Sequence, residues 1–274
     1  MLNKPVVLLF LMILAWLVPI ILWLSLILLL ASALTNSGIS AHKGVFAVSG
    51  WIAFGIYWFL QMAHYTDIED YFNTALAAVA GLFCIYLALI ILQKGSSSAS
   101  SWASYAAGVC GVIYFPFAEI EPLRAWLIGI TAQITAGLLQ AFMIPVVMQG
   151  GNLLVFGGRS VEIVLACTAI ESIALFAGLI ISVNAPIRRK LAALVASTIT
   201  IYLLNIFRNA FVLVAYGWNW FGDDSFYVAH NVIAKLGSVI ALLAVAYLVF
   251  ALLPELLTSV DELGTEIRHP GGAA

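Results

Sequence analysis

The sequence predicts an all-α polytopic membrane protein of about eight transmembrane helices, with one short extracellular β-hairpin before the sixth. Three observations predict it. Of the 274 residues, 64% are hydrophobic and only 9% are charged, whereas a soluble domain carries roughly 25% charged residues. Apolar runs near the ~20 residues needed to cross a bilayer recur along the whole chain between short polar breaks. Lipid offers the backbone no hydrogen-bonding partners, so such runs fold as helices. The net charge of −2 gives no footprint for nucleic acid.

The first run, Pro5–Leu30, follows Lys4. It exceeds the roughly 7–15 apolar residues of a signal peptide and reads as an uncleaved span. Further spans are predicted at Val45–Ala63, Thr74–Leu92, Trp102–Phe117, Ala125–Val147, Thr168–Val183, Leu191–Gly217 and Val228–Leu253; the fourth and sixth are short. The breaks hold acidic residues (Asp67, Glu69, Asp70), a serine run after Lys94, and the cluster Arg188-Arg189-Lys190. With no internal repeat and no long linker, residues 1–274 form one integral membrane domain. Between Asn152 and Cys167, Gly157-Gly158 separates two β-rich stretches. Paired glycines tolerate the positive φ of a tight hairpin turn.

Basic residues in short loops orient the chain. With a cytoplasmic N-terminus, the inside segments hold Lys4, Arg124, Arg188, Arg189, Lys190 and Arg268, and the outside segments hold Lys43, Lys94 and Arg159. Eight crossings then leave both termini cytoplasmic in the plasma membrane. The outer ends of the last three spans bring together the residues that could carry chemistry.

Cys167 stands where the hairpin meets the sixth helix, and backbone N–H groups at a helix start favour a thiolate. The competing reading is a small buried hydrophobe, which is the reading for Cys84 and Cys110. Arg208 lies inside the seventh span between Asn205 and Asn209, and an intramembrane charge points to function unless it is a structural pair or snorkels. His230 opens the eighth span beside Asn231, and imidazole titrates near neutral pH. It could equally be an interfacial histidine making ordinary hydrogen bonds. His42, His64 and His269 have no assigned role. Glu171, one turn beyond Cys167, either orients His230, pairs with Arg208 or meets interfacial water. A thiol, an imidazole and a guanidinium suit acyl transfer: the thiolate forms a thioester, the imidazole protonates the leaving amine and the guanidinium supports the oxyanion.

Ala166-Cys167-Thr168-Ala169-Ile170-Glu171-Ser172, Asn205-Ile-Phe-Arg208-Asn209 and Ala229-His230-Asn231, in that order in a many-span chain, resemble the exosortase/archaeosortase family. The specific part is the last 110 or so residues, with catalytic elements within about 150–240. Ala169 stands where the family more often has glycine. The resemblance implies a protease/transpeptidase with Cys167 as nucleophile, Arg208 as the essential charged partner and His230 as the third member, a place that is histidine or arginine in the family. It implies substrates that are membrane-anchored proteins with a C-terminal sorting signal, in the archaeosortase branch a Pro-Gly-Phe-type motif, a transmembrane helix and a basic end. They would be cut outside the cell and passed to a lipid acceptor. Glu171, Asn205, Asn209 and Asn231 are then supporting or substrate-binding residues.

Neither a cofactor nor a metal is expected, since no ligand cluster, phosphate loop or dinucleotide fingerprint is present. Two other classes compete. A small-solute transporter would line a polar pathway with Arg208, Glu171 and Lys235, with Thr131, Gln133, Thr135 and Gln140 in the fifth span. Gln133 and Gln140 could equally bond between helices. A scaffold subunit would not need Cys167.

Overall fold

In a computed structural model of the chain, residues 4–35 and 40–268 are described. Helices predominate, and the chain divides into two compact units: residues 1–111 with 257–274, and residues 112–256.

The first unit holds α1 (Lys4–Leu34), α2 (Ser40–Asp67), α3 (Tyr71–Lys94), the start of α4 (Ser98–Glu119) and the end of α9 (Pro254–Arg268). The polar breaks read from the sequence act as caps. The Asp70 carboxylate accepts from the Asn73 N–H at 3.1 Å at the start of α3, and Gly95, at φ +82°, closes its end. In the serine run, Ser97 Oγ accepts from the Ser100 N–H and Ser100 Oγ from the Ser97 N–H, both at 2.9 Å. That reciprocal box starts α4. Leu29, Ala47, Trp51, Cys84, Leu87, Ala88 and Ile91 form a buried core joined by Leu263 and Ile267 of α9. Cys84 is therefore a packing residue. Helices approach closely where side chains are small: a Cβ on Gly81 would lie 2.8 Å from the Phe59 ring.

The second unit holds the rest of α4, α5 (Glu121–Ala141), strands β1 (Val147–Gln149), β2 (Leu153–Phe156) and β3 (Arg159–Glu162), then α6 (Ile170–Ser182), α7 (Ile187–Gly217), a π-helical segment (Tyr227–Ala234), α8 (Lys235–Leu252) and the first residues of α9. The strands form an antiparallel sheet in the order β1-β2-β3. Gly157 and Gly158 make the β2–β3 turn with φ of +59° and +74°, as the paired glycines predict. β1 is a departure. The fifth span was expected to run to Val147, but α5 ends at Ala141. Pro145 has no N–H to continue a helix and biases Ile144 away from helical backbone. Gln140 Nε2 donates to the Val146 carbonyl at 3.0 Å, closing this turn.

A helix stands at each of the eight expected spans. Among the described residues, five helices are long and apolar enough to cross alone: α1, α2, α3, α7 and the π-segment continued into α8. α4 and α5 pass only as a pair bent by 90°. Pro122 in the first turn of α5 prevents α4 from continuing through. At 13 residues, α6 is about 20 Å long by itself.

Candidate active site

The site is built on α7. Asn205 and Asn209, four residues apart, lie on one helical face. Each donates its side-chain N–H to the main-chain carbonyl of Cys167, at 2.6 Å and 2.8 Å. Asn209, almost fully buried, also accepts a long 3.4 Å hydrogen bond from Arg208 Nη1. One carboxamide thus links the guanidinium to the Cys167 backbone. Arg208 Nε is buried with no partner, so a donor is left open in a half-buried guanidinium.

Cys167 ends a 3-10 turn, Leu165–Cys167. Its N–H donates to Val164 O at 2.8 Å, and the Thr168 N–H and hydroxyl both donate to Leu165 O at 3.0 and 2.7 Å. Ala169 follows at φ +62°, ψ 7°, a left-handed conformation that disfavours any residue with a Cβ. Only then does α6 begin, at Ile170. The hairpin was expected to end at Cys167, where the sixth helix begins; instead β3 ends at Glu162 and the thiol stands on a separate tight turn before that helix. Beneath it, half-buried Cys167 packs on a core drawn from α5, the sheet and α7, including Leu139, Leu154, Phe156, Ile163 and Leu213.

His230 lies on the π-segment, which packs on α7. Its ring stacks on Phe226 with centroids 5.2 Å apart and planes 6° apart, and Nδ1 lies 3.3 Å from Asn231 Oδ1. It is half-buried and within electrostatic range of Arg208 and Lys235. A π-turn is rare and recurs at functional sites; the sequence predicted ordinary α-helix here. Glu171 is exposed and forms no ion pair with Arg208; Tyr114 of α4 donates to its Oε1 at 3.5 Å. Of the expected residues, the structure gathers Cys167, Asn205, Arg208 and Asn209 into one bonded chain. His230 and Asn231 form a second pair, with Glu171 standing apart on α6. His269 lies outside the described residues.

Sequence reasoning missed the dock of the hairpin. Its tip sits on the C-terminal end of α7, where a Cβ on Gly157 would run into the Gly217 backbone. The Arg159 guanidinium lies 4.7 Å over the Tyr216 ring and donates to Asn219 Oδ1 at 3.1 Å, while Phe156 meets Trp218 edge-on at 5.5 Å. The available signal was an arginine just after the Gly-Gly turn and an aromatic cluster at the helix end. Asn205 and Asn209 lie 12 and 8 residues before Gly217, about 12–18 Å along the helix. The Cys167 turn is therefore well below the docked hairpin tip.

The apolar helices make the chain an integral membrane protein, with a cysteine turn tied to an arginine-bearing helix. The family model for transmembrane exosortases matches residues 3–251, and the chain belongs to that family. It is similar to archaeosortase A of Natronomonas pharaonis, 31% identical over 257 residues that cover 80% of this chain and 81% of that protein. It is also similar to archaeosortase A of Haloferax volcanii, 30% identical over 252 residues that cover 78% and 82%. No solved structure matches the chain. The protein is an integral membrane protein of the sorting-transpeptidase type.

Proposed function

We propose that the protein is a thiol transpeptidase that cleaves the C-terminal sorting signal of membrane-anchored surface proteins and passes them to a lipid acceptor. The observation that carries this reading is the double hydrogen bond from Asn205 and Asn209 to the Cys167 carbonyl. It fixes the main chain of the cysteine and, through Asn209, links it to a half-buried arginine whose buried Nε has no partner.

In this reading His230 takes the thiol proton and the Cys167 sulfur attacks the substrate carbonyl. The Arg208 donors meet the developing oxyanion. The C–N bond then breaks and the imidazolium returns its proton to the departing amine. A lipid hydroxyl or phosphate, or water, attacks the resulting thioester and releases the thiol. Asn205 and Asn209 position Cys167 through its backbone, Asn231 faces the His230 Nδ1, and Glu171 with Tyr114 borders the substrate's approach. The face of Cys167 is the outer one, because Arg188, Arg189 and Lys190 gather at the opposite end of α7.

The test is processing of a membrane-anchored reporter ending in a Pro-Gly-Phe-type signal, a transmembrane helix and a basic end. Wild type is expected to remove the C-terminal segment. Cys167→Ser and Arg208→Ala should abolish removal, and Cys84→Ser should retain it. Cleavage that survives Cys167→Ser would sink the nucleophile assignment.

A further inference from the structure

Two cations within apolar spans of the second unit lack counter-charges. Arg208 lies inside α7, and Lys235 follows His230 by one π turn, at the start of α8. Among the described residues neither forms an ion pair, and Lys235 makes no side-chain hydrogen bond. The Arg208 guanidinium has one long bond to Asn209 and a buried Nε without a partner, so most of its donors stay open. Both cations act on His230, and no carboxylate does. Glu162, Glu171 and Glu255 bond Asn152, Tyr114 and Arg189 instead. An ionised side chain in a span is costly unless something pairs it, which makes it a pointer to a bound partner.

The two charges stand level. Arg208 lies nine residues before Gly217, and Lys235 lies eight after Tyr227. These are the facing ends of consecutive helices that pack together, so each charge is about 12–14 Å from its end. With 31 residues, α7 is about 46 Å long, close to the ~40–45 Å of a bilayer whose hydrocarbon is ~30 Å thick. An upright α7 thus carries the charges about 4–6 Å beneath the hydrocarbon boundary, within reach of a snorkelling lysine. Lys235 also heads an apolar row. Val239, Leu243 and Tyr247 follow it at four-residue intervals, all exposed, and side chains so spaced run along one side of a helix.

We propose that Arg208 and Lys235 form a site for the phosphate of a membrane lipid, whose chain lies along Val239, Leu243 and Tyr247. A lysine brings a compact charge to a phosphate and an arginine a planar fork of donors. The apolar row has no use for a soluble anion, whereas a lipid places phosphate and chain in this order at this depth. One clause rests on the function proposed above: the lipid held here is the acceptor. A headgroup oxygen then bonds the acyl carbon of the Cys167 thioester, the C–S bond breaks, and the oxygen's proton passes to the sulfur. The guanidinium has donors enough for both the phosphate and the oxyanion.

The site is tested by titrating the purified full chain, in detergent and in a Cys167→Ser background, with pyrene-labelled phosphatidic acid. Unlabelled phosphatidic acid, diacylglycerol and inorganic phosphate are the competitors. Lys235 is exposed and without a partner, so replacing it disturbs no packing. Lys235→Gln is expected to weaken binding about tenfold or more, the loss of one charge-assisted hydrogen bond, and Lys235→Arg to restore it. Unchanged affinity in Lys235→Gln overturns the proposal. So does diacylglycerol competing as well as phosphatidic acid, which leaves only an apolar surface, or inorganic phosphate doing so, which leaves an anion site without a lipid. Reporter processing separates the acceptor role: Lys235→Gln should lower the lipid-linked fraction of processed reporter. A Lys235-dependent lipid site in a protein that processes no reporter keeps the site and removes only that role.

Discussion

Removing both carboxamides that hold the Cys167 carbonyl should cost more than the sum of the two single losses. Asn205→Ala leaves the bond from Asn209, and Asn209→Ala leaves the bond from Asn205. Each single change forfeits one hydrogen bond, a net of about 1 kcal/mol, or about fivefold in processing rate. The double variant also strands the carbonyl, adding about 1–3 kcal/mol for an unsatisfied polar group. Its total is about 3–5 kcal/mol, so the rate should fall by roughly two to four orders of magnitude, with a coupling energy of about 1–3 kcal/mol in the double-mutant cycle. The assay is the steady-state rate of reporter processing in membranes at matched enzyme levels. Positioning predicts that kcat falls while KM holds, because the substrate does not touch these amides. Asn209→Asp sharpens the test. It keeps an acceptor for Arg208 Nη1 but turns an acceptor toward the Cys167 carbonyl, so it should be at least as damaging as alanine. Additive single effects, or a loss confined to enzyme abundance, would refute a positioning role.

Three further outcomes follow from local geometry. Ala169→Gly should raise thermal stability by up to about 1 kcal/mol and retain processing, because the left-handed conformation at φ +62° costs a Cβ-bearing residue about 1–2 kcal/mol, partly offset by glycine's greater chain entropy; lower stability would contradict it. Gly157→Ala should be far more destabilising in thermal unfolding than Gly158→Ala. Both have positive φ, but only at Gly157 would the new methyl strike the Gly217 backbone, whereas Gly158 faces open space. Glu255 is held below the usual glutamate range by its own backbone N–H and by Arg189, which bonds both its oxygens. A carboxylate lowered in the folded state contributes stability above its unfolded pKa and loses it as pH falls through the folded value. Melting temperatures of purified protein should therefore drop on acidification less steeply for Glu255→Gln than for wild type, and parallel curves would remove the pair from the account.

The helices were legible because an apolar run of bilayer length has one stable backbone in lipid, and the Gly-Gly turn because only paired positive φ closes so short a hairpin. Their division into crossings was not legible in the same way. Glu121-Pro122 read as an ordinary connection, and hydropathy does not distinguish two helices from one broken helix. β1 was hidden inside an apolar run that Pro145 cuts, and the π-segment has the same composition as the α-helix expected there. At the site, the residue types of Cys167, Arg208 and His230 stood out against their apolar surroundings. The two asparagines stood out less, because they bond a main-chain carbonyl, which every residue has and no sequence pattern marks.

The π-segment has a consequence for how α8 serves two environments. A π-turn accommodates one residue more than the α-helix it interrupts, and one residue is about 100° of helical rotation. Beyond its end, Leu236, Val239, Ile240, Leu243 and Tyr247 present an exposed apolar side; in its first half, Ala229 is wholly buried and His230 half-buried. The surplus residue decouples those two bearings, so the side of α8 that meets lipid does not dictate where the imidazole points. Deleting one residue between His230 and Lys235 would shorten the π winding and swing the ring about a quarter turn relative to the lower helix.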